Sequence, residues 1–254
     1  MKVRILGCSG GISAGLRSTS LLIDDDILID AGTGLGDLTL EEMGRIRHIF
    51  VTHSHLDHVC FIPLLIDTIF DLVEEPVIIH GQENTLQALQ GYIFNWVVWP
   101  DFAELPRPEA PVLRYRSMQP GDTWENKGRT FEMIAVNHIV PAVGYRVSDA
   151  GGSFAFSGDT TTNDTFWAAL NAHPTLDMLI VEAAFADHNL KLSQLAKHYC
   201  PSLLAGDMQK LRHFPDIYIT HRKPGEEDRI LQECREQIPD RKLRALSGGE
   251  VFTL

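Results

Sequence analysis

The chain has 254 residues, 44% of them hydrophobic and 22% charged, which suits one globular domain with a full core. Its 22 Lys and Arg stand against 34 Asp and Glu, and the formal charge of −12 opposes indiscriminate binding to nucleic acid or an anionic membrane. No apolar run approaches the ~20 residues that cross a bilayer.

Met1-Lys2-Val3-Arg4-Ile5-Leu6 runs straight into a glycine-rich turn, so no secretory leader is expected. Cys8, Cys60, Cys200 and Cys234 show no paired spacing, which suits free thiols in a reducing compartment and a cytoplasmic protein.

In chain order, short β-rich runs bounded by turn residues predict strands over Val3–Leu6, Ser20–Ile23, Ile27–Asp30, His48–Val51, Val77–His80, Val112–Tyr115, Phe131–Val136, Tyr145–Val147, Ser153–Phe156, Met178–Val181 and Ile217–Thr220. Helices are predicted over Val59–Asp71, Glu83–Phe94, Thr162–Asn171, Leu190–His198, Ser202–His213 and Gly225–Gln237. Strands with interspersed helices favour sheets packed face to face with helices outside, an α/β class. Periodicity alone leaves other α/β layouts open. Between Gly91 and Tyr115, five aromatics precede the proline-rich Leu105–Pro111, which forbids a continuing helix. Core packing, a substrate lid and a homodimer contact all remain open for it.

The densest chemistry lies in Thr52-His53-Ser54-His55-Leu56-Asp57-His58, directly after the apolar run Ile49-Phe50-Val51. Four good ligands within six residues would repel on protonation if no metal were bound. Imidazole and carboxylate donors without nearby thiolate suit Zn²⁺, Mn²⁺ or Fe and argue against a closed structural zinc site. Further donors stand where strands end. His138 follows Phe131–Val136, Asp159 follows Phe154–Phe156, and His221 follows Ile217–Thr220. A site at the edge of a sheet is built this way.

The order HxHxDH, then His138, then Asp159 in Ser-Gly-Asp-Thr, then His221, resembles the metallo-β-lactamase superfamily over nearly the whole chain. The resemblance implies a four-layer αββα sandwich with two mixed sheets. It also implies a dinuclear site in which His53, His55 and His138 hold one metal, Asp57, His58 and His221 hold the second, and Asp159 bridges both. Zinc is the first expectation for the two divalent ions, with manganese and iron next.

Leu56 inside the ligand cluster, Thr220-His221-Arg222-Lys223-Pro224-Gly225, and His198-Tyr199-Cys200-Pro201-Ser202-Leu203-Leu204 resemble the signatures of class II cyclic-nucleotide phosphodiesterases. Cys60 departs from that signature, which has a small Gly or Ser there. Val136-Asn137-His138 through Gly144-Tyr145-Arg146 is also similar to the tRNA 3′-processing endonucleases.

The expected reaction is hydrolysis of a small phosphodiester, such as a 3′,5′-cyclic nucleotide, by a hydroxide bridging the two metals. Asp57, His198 and His188 are the candidate catalytic side chains, the two histidines as acids for the leaving oxygen. Arg146 and Arg17 are candidate phosphate contacts, and Glu182 a candidate for orienting a histidine. The alternatives are a tRNA-processing nuclease, a lactone or thioester hydrolase, and a metal-binding protein without catalysis. A nuclease would need a basic docking surface that this composition does not favour.

Overall fold

A computed structural model describes residues 1–254. Six strands come first: β1 (Lys2–Gly7), β2 (Ser20–Ile23), β3 (Ile27–Ile29), β4 (His48–Phe50), β5 (Val77–Gly81) and β6 (Leu113–Ser117). The rest are β7 (Thr123–Asn126), β8 (Arg129–Ala135), β9 (Val143–Ser148), β10 (Ser153–Phe156), β11 (Met178–Glu182), β12 (Asp216–Thr220), β13 (Leu243–Ala245) and β14 (Val251–Thr253). They form two seven-stranded sheets, ordered β14-β1-β2-β3-β4-β5-β6 and β13-β12-β11-β10-β9-β8-β7. Both are mixed: β3 to β6 and β10 to β13 run parallel, while the remaining pairs are antiparallel.

The layers follow from alternation along the strands. Ile27, Ile29 and Phe50 join Phe131, Tyr145, Phe154 and Ile180 in a core between the sheets. Their chain neighbours Leu28, Ile49 and Ile79 face outward onto Ile62, Leu65, Leu86 and Leu89. On the other side, Ala155, Leu179, Val181 and Ile219 face Trp167, Leu204, Met208 and Ile230. Strands buried on both faces read as near-continuous apolar runs, which is how these appear in the sequence. The helices are α1 (Leu40–Met43), α2 (Leu56–Val59), α3 (Ile62–Thr68), α4 (Glu83–Tyr92), α5 (Thr165–Ala172), α6 (Leu190–Ala196), α7 (Pro201–Met208) and α8 (Glu227–Gln237). The architecture is the αββα sandwich. No helix is long and apolar enough to cross a membrane.

Several boundaries differ from the sequence reading. The helix expected over Val59–Asp71 is two helices, because Phe61 N–H donates to Ala31 O instead of continuing the spiral. The helix expected to reach His198 stops at Ala196, where Lys197 turns left-handed at φ 53°. The helix expected from Ser202 to His213 ends at Met208. β7, β13 and β14 were not expected: β7 buries only Trp124, and β14 has no buried residue. In the aromatic segment, Phe94 and Phe102 are buried in the outer core, while Tyr92, Trp96, Val97 and Val98 stay exposed.

One polar pair sits inside the inter-sheet core. His48 Nδ1 and His80 Nε2 are 3.1 Å apart, and the His80 ring stacks on Phe50 at 4.2 Å. Burial pulls His80 down to about 3 and His48 down to about 4, against the ordinary imidazole value of 6.5. A base whose folded pKa is depressed is protonated first in the unfolded chain. Its contribution to stability is therefore full above ~6.5 and is lost as the pH falls toward the folded values. The urea midpoint should fall between about pH 7 and pH 5, and it should fall less in His80→Phe. Parallel pH profiles for the two proteins would show that this pair does not set the acid limb.

Candidate metal centre

The donors gather at the carboxyl ends of the central parallel strands, where the two sheets meet. Val51 follows β4, and its N–H donates to His80 O, so the loop from Thr52 to Asp57 leaves the sheet edge in a fixed direction. Tyr145 crosses from the second sheet and donates its hydroxyl to Val51 O at 2.9 Å. Gly158 takes φ +58°, and a Cβ there would lie 2.7 Å from Val143 O, so only glycine delivers Asp159 from the end of β10. His221 follows β12 directly, in the same left-handed region at φ 58°. Gly10 must also be glycine, because a Cβ would meet His221 O at 2.2 Å.

Two groups of donors result, each with its ligand atoms within 4.8 Å of one another. One is His53, His55, His138 and Asp159; the other is Asp57, His58, Asp159 and His221. Asp159 belongs to both. Its Oδ2 lies 3.3 Å from His58 Nε2 and 3.6 Å from His53 Nε2, and its Oδ1 lies 3.3 Å from His221 Nδ1. Those three imidazole nitrogens are buried and have no hydrogen-bond partner. Buried polar atoms are ordinarily satisfied, so three orphans aimed at one buried carboxylate fit a site built for cations. The donor set suits borderline divalent ions.

Around this cluster the electrostatics are steep. Burial raises the cost of the Asp159 anion, but His221 and His58 outweigh it and hold the carboxyl well below its usual range. Burial is the largest cause that takes His221 to about 3 and His138 to about 4, against the opposing pull of Asp159. His58 is opposite in sign: burial disfavours its cation, yet Asp159 and Asp30 together hold it well above the imidazole value. A divalent ion held by His58 would take the place of that proton.

Asp30, whose role the sequence reading left unassigned, sets the orientation of His58. It ends β3 at φ 57° and is fully buried. Its Oδ1 accepts from Thr52 N at 2.8 Å, while Oδ2 accepts from Thr52 Oγ1 at 2.8 Å and from His58 Nδ1 at 2.7 Å. Nε2 is left to face Asp159. The available signal was a charge closing a wholly apolar strand, in Leu28-Ile29-Asp30.

His198 lies beside this cluster, with its ring stacked on His221 at 5.3 Å and edge-on to His138 at 4.8 Å. Glu182, at the end of β11, accepts from His198 Nδ1 at 2.8 Å. Its remaining capacity is taken by the Thr160, Ala184 and Tyr199 amides at 2.8, 3.0 and 3.3 Å. Glu182 therefore orients His198, although it also lies close enough to Asp159 to be counted as a third donor group.

Three candidate residues are engaged by partners other than the donors. His188 is exposed and pairs with Asn189 and Arg229, because its 3-10 turn projects it outward. Arg146 donates to Ser148 Oγ and Thr175 O on the side of the second sheet where β10 and β11 begin, away from the donors. Arg17 is held by Asp37 at 3.4 Å and by Leu16 O at 3.4 Å, outside the cluster.

Residues 25–209 match the model of the Beta-lactamase superfamily domain. The chain belongs to the metallo-β-lactamase superfamily. It is 28% identical to a probable 3′,5′-cyclic-nucleotide phosphodiesterase of Yersinia pestis over 88% of this chain and 78% of that one. It is 24% identical to ribonuclease Z of Haloarcula marismortui over 98% and 96%. Unliganded yeast PDE1 superposes with a TM-score of 0.83 at 18% identity over 100% and 99% of the two chains, which shows the shared fold. Within this superfamily the chain is a hydrolase, and its fold carries divalent metals.

Asp30→Asn presents an amide N–H to His58 Nδ1 and so forces the proton onto Nε2. Divalent-metal affinity should fall about 10–100-fold, as for other partners that orient a ligand. Competition against a chromophoric chelator measures this; wild-type affinity in the variant would remove Asp30 from that role.

Proposed function

We propose that the chain is a metal-dependent phosphodiesterase acting on a small phosphodiester, with a 3′,5′-cyclic nucleotide the leading substrate. The observation that carries this reading is two donor groups joined through Asp159, beside a histidine that a buried glutamate orients. In this reading His53, His55, His138 and Asp159 hold one divalent ion, and Asp57, His58, His221 and Asp159 hold a second, with zinc the first choice. When bound, such ions polarise a phosphoryl oxygen, acidify water and neutralise developing charge.

The chain's own residues do the rest. Asp30 and Thr52 fix His58. Lys197 O fixes His138 through Nδ1 at 2.9 Å. Burial lowers the pKa of His198, but Glu182 outweighs it and raises that pKa, so His198 holds a proton to give to the departing oxygen. Glu182 binds Nδ1, which leaves Nε2 as the atom that gives it. Charge supports a small substrate, since a net −12 offers a long polyanion little. Four free cysteines suit a reducing compartment, and we place the protein in the cytoplasm on that ground.

A ribonuclease Z reading is the second, favoured by the relative that covers almost the whole chain. A panel of cyclic 3′,5′- and 2′,3′-nucleotides, bis(p-nitrophenyl) phosphate, precursor tRNA, a lactone and a glutathione thioester separates the readings. Small phosphodiesters should be turned over best. Efficient tRNA cleavage that falls steeply with salt would replace the substrate, and preference for the lactone or thioester would replace the reaction.

Elemental analysis after reconstitution should give about two divalent ions per chain, since the donors exceed one tetrahedral centre. Asp159→Ala should hold at most one and retain less than about a tenth of wild-type turnover. Full metal content with turnover above that level would show that Asp159 is not shared.

A further inference from the structure

A groove of about 520 Å³ is lined by residues of the Gly10–Arg17 loop, the Thr33–Asp37 turn and Phe61. Its walls come from elements tied directly to Asp57 and His221. On one side, the loop after Gly10 is clamped to His221 O, and Gly11 abuts the Pro224 ring. That loop turns back through the Leu16 N to Ser13 O bond at 3.0 Å and presents Ile12, which is 71% exposed.

On the other side stands Phe61, in the turn that follows the ligand-bearing helix α2. Its ring edge would lie only 2.7 Å from a Cβ at Gly36, so it packs against the Thr33–Asp37 turn that forms the floor. That turn follows Gly32, whose Cβ position abuts Asp57 O at 2.2 Å.

The charges of the groove cancel. Arg17 is its cation, and Asp37 pairs with it at 3.4 Å. A second phosphate would find no unpaired cation there, whereas Ile12, Leu16 and Phe61 offer apolar contact. An exposed isoleucine is unremarkable singly; one that lines a cavity together with a leucine and a phenylalanine marks a place for a ligand.

We propose that this groove receives an apolar group of the substrate, so that the phosphodiester hydrolysed here carries an aliphatic or aromatic group and no second phosphate. This rests on the phosphodiesterase reading in placing the phosphoryl group at the donor cluster.

Binding of methyl, butyl and hexyl phosphonate to the zinc-loaded protein, measured by calorimetry, tests the groove without turnover. Affinity should rise about two- to fourfold per methylene, the range for partial to full burial of a CH₂. Ile12→Ser should flatten that rise, and Phe214→Ser, an exposed aromatic on the loop before β12, should not. A flat series, no binding by any member, or a rise unchanged in Ile12→Ser would overturn the proposal. A flat series from an enzyme that still hydrolyses phosphodiesters sinks the groove alone. A rising series from one that hydrolyses none keeps the groove and sinks the reaction.

Discussion

Everything at the open edge of this sandwich answers to one buried carboxylate. Asp159 is 2% exposed, and an unpaired anion at that depth costs several kcal/mol. Three imidazole nitrogens surround it, and none of them has another partner. Hydrogen bonds to these histidines would offset part of the cost, but the rings stand at 3.3 to 3.6 Å, longer than a good charge-assisted bond. The spacing suits atoms that converge on something between them. Because His53 and His58 come from the first sheet while Asp159 and His221 come from the second, the same convergence fastens the two sheets at this edge.

Holding that geometry stores strain. Asp30 and His221 are non-glycine residues in the left-handed region, at φ 57° and 58°. Such residues cost on the order of 1–3 kcal/mol each and persist where the surroundings over-determine them. For Asp30 the compensation is visible: three donors converge on its carboxylate, and the left-handed turn is what brings it under Thr52 and His58 at once. For His221 the backbone is gripped by Cys8 O at 2.8 Å and by the absence of a side chain at Gly10. Strain and glycine thus cooperate at the second ligand group, which is the half of the site tied to the walls of the groove.

Much of this was legible in the sequence because ligand chemistry and strand ends coincide. The apolar runs ending at His53, Asp159 and His221 place donors at one sheet edge whichever exact topology joins them. The layer order needed family resemblance, since an apolar strand buried on both faces carries no mark of which face meets a helix. What stayed hidden follows physical rules too. β13 and β14 lie at sheet edges with little burial, so they lack the hydrophobic signal that reveals strands. Asp30 looked like a strand terminus because its role depends on a contact 28 residues away in the chain. His188 and Arg146 have the right chemistry but the wrong direction, and direction is set by a 3-10 turn and by the pleat, which spacing does not encode.

The division between legible and hidden has a functional meaning. Reaction class resides in residues that must be His or Asp, because only those side chains supply the ligand atoms and the proton. On the groove proposal, substrate choice falls to Ile12, Leu16, Phe61 and their neighbours, where any apolar residue of similar size would serve. Such positions leave no motif. The loop that presents Ile12 is anchored at Gly10 and Gly11 but free of ligands itself, so its sequence can change without disturbing the donors. A metal centre clamped by strain beside a loosely specified groove lets one scaffold keep its chemistry while its substrates diverge. Relatives named for a cyclic nucleotide and for RNA, both near one quarter identity to this chain, fit that separation.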